Sequence, residues 1–169
     1  SAVAAIEKGM INWDEVLEGA AWFHWTGITP AISQGAADVC LEAIQTANKK
    51  GVTVSCDLNF RNRLWRWDAG VSPRDLAERT MRGILPFVDV LIGNEEDAQQ
   101  VFGIAAGETD AEQGRLAIRS YPDVARSIVD QFPGIRLVAL TLRESLSASH
   151  NNWGAMLFQA ETGRSFFAP

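Results

Sequence analysis

Residues 52–65 read VTVSCDLNFRNRLW, and this stretch decides the fold. Its first half, from Val52 to Cys56, is short and rich in β-branched residues, which indicates a β-strand. The sequence KKG at residues 49–51 stands directly before it and is a typical helix-stop signal. A helix that leads straight into a short buried strand indicates an α/β protein.

The second half of the stretch carries a cluster of polar side chains that includes Asp57, Asn59 and Arg61. In open parallel sheets, ligands bind beyond the carboxyl ends of the strands, where an acid, an amide and a guanidinium can converge on one small molecule. The cluster therefore predicts a ligand site. From these residues alone, an ion pair between Asp57 and Arg61 that only braces the loop is equally compatible.

Outward from this stretch, helix and strand patterns alternate along most of the chain. A helix predicted over residues 33–50, capped by Ser33, carries its apolar side chains on one face. The strand predicted at 21–25 is aromatic and almost uninterrupted, which is typical of a strand covered on both faces. Further helices are predicted at 13–17, 72–85, 94–103 and 121–132, strands at 88–93 and 136–140, and an antiparallel pair at 153–158 and 165–167. Irregular segments are predicted at 26–30, 104–119 and 141–152.

Composition and charge argue against several classes of protein. The 169 residues suffice for one domain with a sizeable core. A net charge of −6 argues against nucleic acid or an anionic membrane as partner, and no apolar run approaches the roughly 18 residues that span a bilayer. Cys40 and Cys56 lack CxxC spacing and are predicted to be buried reduced thiols of a cytoplasmic protein. His24 is predicted to be a core residue bonded to backbone, and with the distant His150 it gives no zinc signal.

Each of the four inferred parallel strands is followed by a polar cluster, so all four clusters are expected along one edge of the sheet. The clusters are Thr26-Gly27 with Thr29, Asp57-Asn59-Arg61, Asn94-Glu95-Glu96-Asp97, and Thr141-Arg143-Glu144-Ser145.

Four motifs together resemble the ribokinase-like (phosphofructokinase-B-type) carbohydrate kinases, and most of all their 2-keto-3-deoxygluconate kinase branch. The motifs are FHWTGITPAIS, DLNFRNRLW, VDVLIGNEEDA and TLRESLSASHNNWGAML. The resemblance implies a three-layer α-β-α sandwich with a mainly parallel sheet. It also implies transfer of the γ-phosphoryl group of ATP, with Mg²⁺, to a primary hydroxyl of a sugar or sugar acid. Lid strands of this family often pair between subunits, so a homo-oligomer is possible.

The resemblance also implies roles for individual residues. The arginine similar in place to Arg61 binds the substrate carboxylate, which suits a planar guanidinium that donates two parallel hydrogen bonds. Asp57 and Asn59 would shape the rim near the transferred phosphoryl group. The implied nucleotide-binding residues are Asn94, Asp97, Thr141 and Arg143.

Two of these nucleotide-side residues depart from the family pattern, whereas Asn94 and the substrate-side Asn59 have purely structural alternatives. Asp97, the implied Mg²⁺ ligand, stands where the family has glutamate, and Arg143 replaces a glycine, which leaves the nucleotide loop in doubt. Arg143 is alternatively a source of positive charge for phosphate. Asn59 alternatively only holds its turn, and Asn94 alternatively only caps a helix whose first-turn acids favour the helix dipole.

The family's glycine-rich G-[AG]-G-D segment, which supplies the catalytic aspartate and an anion hole, has no counterpart in these residues. We therefore expect residues 1–169 to be the central part of a single ribokinase-like domain, without the N-terminal lid region and with the base beyond Pro169. Alone, the chain is expected to be inactive. Two alternatives stay open: a kinase for fructose or another deoxyketo-sugar acid, and a non-catalytic sugar-binding or regulatory module of the same fold.

Overall fold

The computed structural model describes residues 2–104, 120–147 and 150–168, apart from the side chains of residues 95, 143–147 and 150–152. The helices are α1 (Trp13–Val16), α2 (Ile28–Ile32), α3 (Gln34–Lys49), α4 (Pro73–Ile84), α5 (Glu95–Phe102) and α6 (Tyr121–Gln131). The strands are β1 (Trp22–Thr26), β2 (Thr53–Asp57), β3 (Val90–Gly93), β4 (Leu137–Ser147), β5 (His150–Gln159) and β6 (Arg164–Ala168).

The six strands form one sheet in which spatial order follows chain order, from β1 to β6. Strands β1 to β4 pair in parallel, whereas β5 and β6 are antiparallel. The prediction of an α/β fold with a mainly parallel sheet is confirmed, as is the antiparallel pair near the end of the chain. Each parallel crossover uses at least one helix, as parallel pairing requires.

Helix ends lie where the sequence indicated them. Ser33 Oγ accepts the backbone N–H of Ala36 at 3.1 Å and begins α3, and Ser72 Oγ does the same for Asp75 at the start of α4. Gly103 ends α5 in the left-handed conformation with a φ of 70°, which glycine adopts without a steric cost.

Helices α3 to α6 contact one another in chain order and form one layer. Their apolar side chains share a single core with alternate residues of the strands, such as Val54, Cys56 and Val138. The sheet register puts Trp22, Leu157 and Phe166 on the opposite face, where they are 56%, 38% and 46% exposed. Within the described residues, this second face has no helical layer over it.

The structure corrects three predictions about local structure. Strand β1 is not covered on both faces, because Trp22 and His24 lie on the face of the sheet that no described helix covers, and both side chains are exposed. The supposed breaker segment at 26–30 ends β1 and begins α2 at Ile28. The predicted loop at 141–152 is largely strand, because inter-strand hydrogen bonds between β4 and β5 satisfy the backbone whatever the polarity of the side chains. The predicted connection at 104–119 lies, after Ile104, outside the described residues.

Both cysteines are buried free thiols, as predicted. Burial raises the pKa of Cys40 to about 12 and raises that of Cys56 well above its ordinary range. No helix in the described ranges is long and apolar enough to cross a membrane.

Candidate functional site

The carboxyl ends of β1 to β4 meet at one edge of the sheet and bring the four polar clusters together. Thr26 pairs with Asp57, Asp57 pairs with Ile92, and Gly93 pairs with Leu140, so Asn94 and Thr141 follow at the same level. This edge, hereafter the rim, is where ligands of open parallel sheets bind.

The turn after β2 is fixed by its own polar side chains. Asn59 has a φ of 40°, and it is the one described non-glycine residue with a positive φ. Its backbone N–H donates to Asp57 Oδ1 at 3.2 Å, and its Nδ2 donates to Thr26 Oγ1 at 3.2 Å. Asn59 therefore does hold the turn, and it also ties that turn to the end of β1.

A close approach of two backbones locks β1 to β2 at the rim. The N–H of Gly27 donates to the carbonyl oxygen of Asp57 at 2.8 Å. A Cβ built on Gly27 would lie 2.1 Å from the carbonyl oxygen of Leu58, so only glycine fits here. Gly27 belongs to a predicted polar cluster, but no pattern in the sequence marks this contact.

Arg61 is exposed at the rim, and its Nη1 donates to the carbonyl oxygen of Phe60 at 2.9 Å. Within the described part of the chain, no ion pair joins Arg61 to Asp57, so the bracing ion pair considered above is not observed. The guanidinium carries five N–H donors in a planar fork, and this arrangement suits a carboxylate.

The start of α5 contributes a cap and a buried acid. Asn94 Oδ1 accepts the N–H of Asp97 at 2.7 Å, so the structural alternative for Asn94, a helix cap, is observed. Asp97 is only 7% exposed, and its Oδ1 accepts the N–H of Phe60 at 3.0 Å. The pKa of Asp97 is raised, mainly by burial and to a smaller extent by the negative charge of Asp57. Hydrogen bonds from the backbones of Phe60 and Asn94 and the positive charge of Arg61 oppose this rise.

Magnesium is a poor fit for the position of Asp97. Mg²⁺ usually keeps several waters and takes one or two carboxylates together with substrate phosphates. Asp97 is nearly closed to solvent and already accepts a backbone hydrogen bond, and the described residues hold no group of three His, Cys, Asp or Glu that could bind a metal. Direct ligation of Mg²⁺ by Asp97 therefore does not fit this geometry.

The remaining nucleotide-side residues lie on β4. Thr141 is exposed at the rim, and its Oγ1 is 3.4 Å from the carbonyl oxygen of Gly93, to which it donates. Arg143 lies opposite Trp153 within the β4 to β5 pairing, and its side chain is outside the described part. Because residue 143 is in an extended strand, arginine meets no demand there for the positive φ that a glycine loop would impose.

His24 is not the backbone-bonded core residue that was predicted. Its side chain is exposed on β1, and its Nδ1 lies 2.8 Å from the buried Ser55 Oγ, which also accepts the indole N–H of Trp22 at 2.7 Å. The prediction was wrong because His24 lies on the face of the sheet that no described helix covers, which the aromatic composition of the strand does not reveal.

Comparisons with known proteins point in one direction, although no family model matches the chain. A 2-dehydro-3-deoxygalactonokinase of Haloferax volcanii is 39% identical over 103 residues, which make up 61% of this chain and 29% of that protein. The crystal structure of 2-dehydro-3-deoxygluconokinase from Thermotoga maritima matches 99% of this chain and 46% of its own, with a TM-score of 0.84 and 36% identity. A PfkB family carbohydrate kinase from Listeria grayi matches 97% of this chain and 44% of its own, with a TM-score of 0.76 and 26% identity.

The predicted ribokinase-like fold class is confirmed by these structures. The chain spans less than half the length of the solved relatives, and the stretch aligned with the Haloferax protein covers less than a third of it.

Proposed function

We propose that the chain forms the central part of an ATP-dependent sugar-acid kinase, since it is similar in sequence to a 2-dehydro-3-deoxygalactonokinase and in sequence and fold to a 2-dehydro-3-deoxygluconokinase. The proposed substrate is 2-keto-3-deoxy-D-gluconate, and the product is 2-keto-3-deoxy-6-phosphogluconate. A bond from the sugar hydroxyl oxygen to the γ-phosphorus forms, the bond between the γ-phosphorus and the β,γ-bridging oxygen breaks, and a base takes the hydroxyl proton.

The observation that carries this proposal is the placement of Arg61. An exposed guanidinium stands at the rim without a carboxylate partner among the described residues. An unpaired arginine beside a hydrogen-bonded Asp57 and Asn59 suits a ligand that brings its own carboxylate together with hydroxyl groups. A neutral sugar has no negatively charged group that could pair with the guanidinium of Arg61.

The nucleotide is proposed to lie farther along the rim, towards Asn94, Thr141 and Arg143. Parallel strands present these residues at the same edge as Arg61, which allows the two substrates to meet. Mg²⁺ would enter with the ATP phosphates, which supply oxygen ligands, and would offset their charge. A cytoplasmic location and a homo-oligomer stay predictions from the sequence.

We propose further that these 169 residues do not catalyse transfer by themselves. Phosphoryl transfer depends on a base, on positioning and on stabilisation of charge, and the sequence holds no G-[AG]-G-D segment that could supply the base and an anion hole. The role of this chain would then be to bind and orient the sugar acid and to contribute Asn94, Thr141 and Arg143 to the nucleotide side of the rim.

A second candidate substrate is the C4 epimer, 2-dehydro-3-deoxygalactonate. The Haloferax relative is named for a galactonate-type substrate, whereas the Thermotoga relative is named for the gluconate type. Both substrates carry the carboxylate that Arg61 would bind, so Arg61 itself does not discriminate between them. The non-catalytic module of the same fold remains an alternative for the whole protein.

A coupled ADP-release assay on the intact protein tests the proposal. The substrates to compare are 2-keto-3-deoxygluconate, its galactonate epimer and fructose, each with ATP and Mg²⁺. We expect a kcat/KM for one of the two acids at least tenfold above that for fructose. Preference for fructose would reject the sugar-acid assignment, and calorimetric binding of an acid with no ADP release would identify a binding module.

A further inference from the structure

We infer that Asp97 is a positioning residue, whose buried carboxylate holds the loop that carries Arg61 against the start of α5. The inference about the loop rests on geometry alone. Its consequence for substrate binding rests on the proposed function, because it takes Arg61 to be the residue that binds the sugar acid.

Both polar groups of the Phe60 backbone are held by side chains. The N–H of Phe60 donates to Asp97 Oδ1 at 3.0 Å, and its carbonyl oxygen accepts Arg61 Nη1 at 2.9 Å. Phe60 follows β2 by three residues and is buried, so no strand partner supplies an acceptor for its N–H. A buried N–H without an acceptor is costly, and the carboxylate of Asp97 removes that cost.

The carboxylate is itself fixed in place. Asp97 lies in the first turn of α5, where its own N–H donates to Asn94 Oδ1 at 2.7 Å. Hydrogen bonds thus run without a break from Asn94 through Asp97 and the Phe60 backbone to the guanidinium of Arg61. A side chain that is oriented before the ligand arrives loses less freedom on binding, so this chain of bonds prepares Arg61 for a carboxylate.

The position of Asp97 in the motif Asn94-Glu95-Glu96-Asp97 also fits this role. Aspartate is one methylene shorter than the glutamate that the family resemblance implies at this position. Here the shorter side chain ends at the N–H of Phe60 rather than in the open rim, since it is 7% exposed. Asp97 was predicted to act on the nucleotide side of the rim. In the structure its side chain instead stabilises the loop on the sugar side that carries Arg61.

Two substitutions at Asp97 separate positioning from metal binding. Asp97→Asn removes the charge but keeps an oxygen that accepts the N–H of Phe60, whereas Asp97→Ala removes the acceptor. Positioning predicts that Asn preserves function and Ala does not. Metal ligation predicts that both variants fail and that the apparent affinity for Mg²⁺ falls. Glu96→Ala, at an exposed acid of the same helical turn, is the matched control.

The first readout is amide hydrogen exchange at Phe60, measured by NMR on the intact protein without substrates. We expect exchange at least about tenfold faster in Asp97→Ala, and close to wild type in Asp97→Asn and Glu96→Ala. Equal protection of the Phe60 amide in all four proteins would overturn the inference. This readout does not depend on which substrate the protein uses.

The second readout is steady-state kinetics with the preferred sugar acid. We expect Asp97→Ala to raise the KM for the acid about tenfold or more, because small misplacements of a binding group are costly, and to change the KM for ATP less than twofold. Asp97→Asn should restore the KM for the acid. A KM for ATP that rises as much as that for the acid would overturn the coupling to Arg61. A wild-type protein that phosphorylates no sugar acid would instead refute the proposed function, and the exchange data would still decide the role of Asp97.

Discussion

Gly27→Ala is the substitution whose effect follows most directly from the geometry of the rim. The new Cβ would lie 2.1 Å from the carbonyl oxygen of Leu58, whereas ordinary van der Waals contact begins at 3.4 Å. The ends of β1 and β2 would have to separate by about 1.3 Å. That movement would break the hydrogen bond of 2.8 Å from the N–H of Gly27 to the carbonyl oxygen of Asp57.

Two contributions set the expected loss of stability. Overpacking costs about 1–3 kcal/mol, and a lost backbone hydrogen bond costs about 1 kcal/mol, so the free energy of unfolding should fall by about 2–4 kcal/mol. For a chain of this size such a loss lowers Tm by roughly 4–16 °C. Thermal and urea unfolding followed by circular dichroism would measure both quantities.

Gly83→Ala is the matched control for this experiment. Gly83 is exposed within α4, and a Cβ there would meet no atom within 4 Å. Both substitutions reduce the backbone entropy of the unfolded chain, so only the steric clash differs between them. Gly83→Ala should raise stability by up to about 1 kcal/mol. A Gly27→Ala protein as stable as Gly83→Ala would refute the reasoning about the β1 to β2 contact.

Three further predictions concern the rest of the chain. Arg136→Gln removes the charge that pairs with Asp89 at 3.1 Å and leaves the hydrogen bond from the N–H of Val54 to Asp89 Oδ2 in place, so we expect a loss of about 0.5 kcal/mol that disappears in 1 M salt. A loss unaffected by salt would contradict an electrostatic origin. Burial raises the pKa of Cys40 from 9.0 to about 12, so the contribution of this thiol to stability should be constant below pH 9 and should fall as the pH rises towards 12. Thiol reagents should label Cys40 at pH 8 only when the protein unfolds. Labelling of the native protein at the rate of a free thiol would contradict this. Leu157→Glu and Phe166→Glu together should reduce binding of a hydrophobic dye, because both side chains are exposed on the second face of the sheet; unchanged binding would contradict that exposure.

Much of the fold could be predicted from local signals. Ser33 and the Ser72-Pro73 pair mark helix starts by capping chemistry that acts within three or four residues. The two errors in strand assignment have a common cause. Whether a helical layer covers the face of β1 that carries His24, and whether β4 continues beyond Thr141, depends on contacts between residues that are distant in sequence.

The candidate site likewise contains residues that the sequence predicted and contacts that it did not. Asp57, Asn59 and Arg61 were predicted because polar residues directly after a strand fall at a known edge of a parallel sheet. The contact between Asp97 and the N–H of Phe60 spans 37 residues and uses a backbone donor, so no side-chain pattern marks it. The sequence does not indicate the close approach at Gly27 either, since many other glycines of the chain have open space around them.

The measurement that tests the central claim most directly is calorimetric binding of 2-keto-3-deoxygluconate and of fructose to the intact protein and to its Arg61→Ala variant. Arg63→Ala, an exposed arginine two residues away, is the control. If Arg61 binds the substrate carboxylate through charge-assisted hydrogen bonds worth about 1.5–3 kcal/mol, Arg61→Ala should weaken binding of the acid roughly 10- to 150-fold. The affinity of Arg61→Ala for fructose should stay near the wild-type value. The affinity of Arg63→Ala for the acid should also stay near the wild-type value. Fructose bound by the wild type as tightly as the acid, or a preference for the acid that survives in Arg61→Ala, would contradict the account.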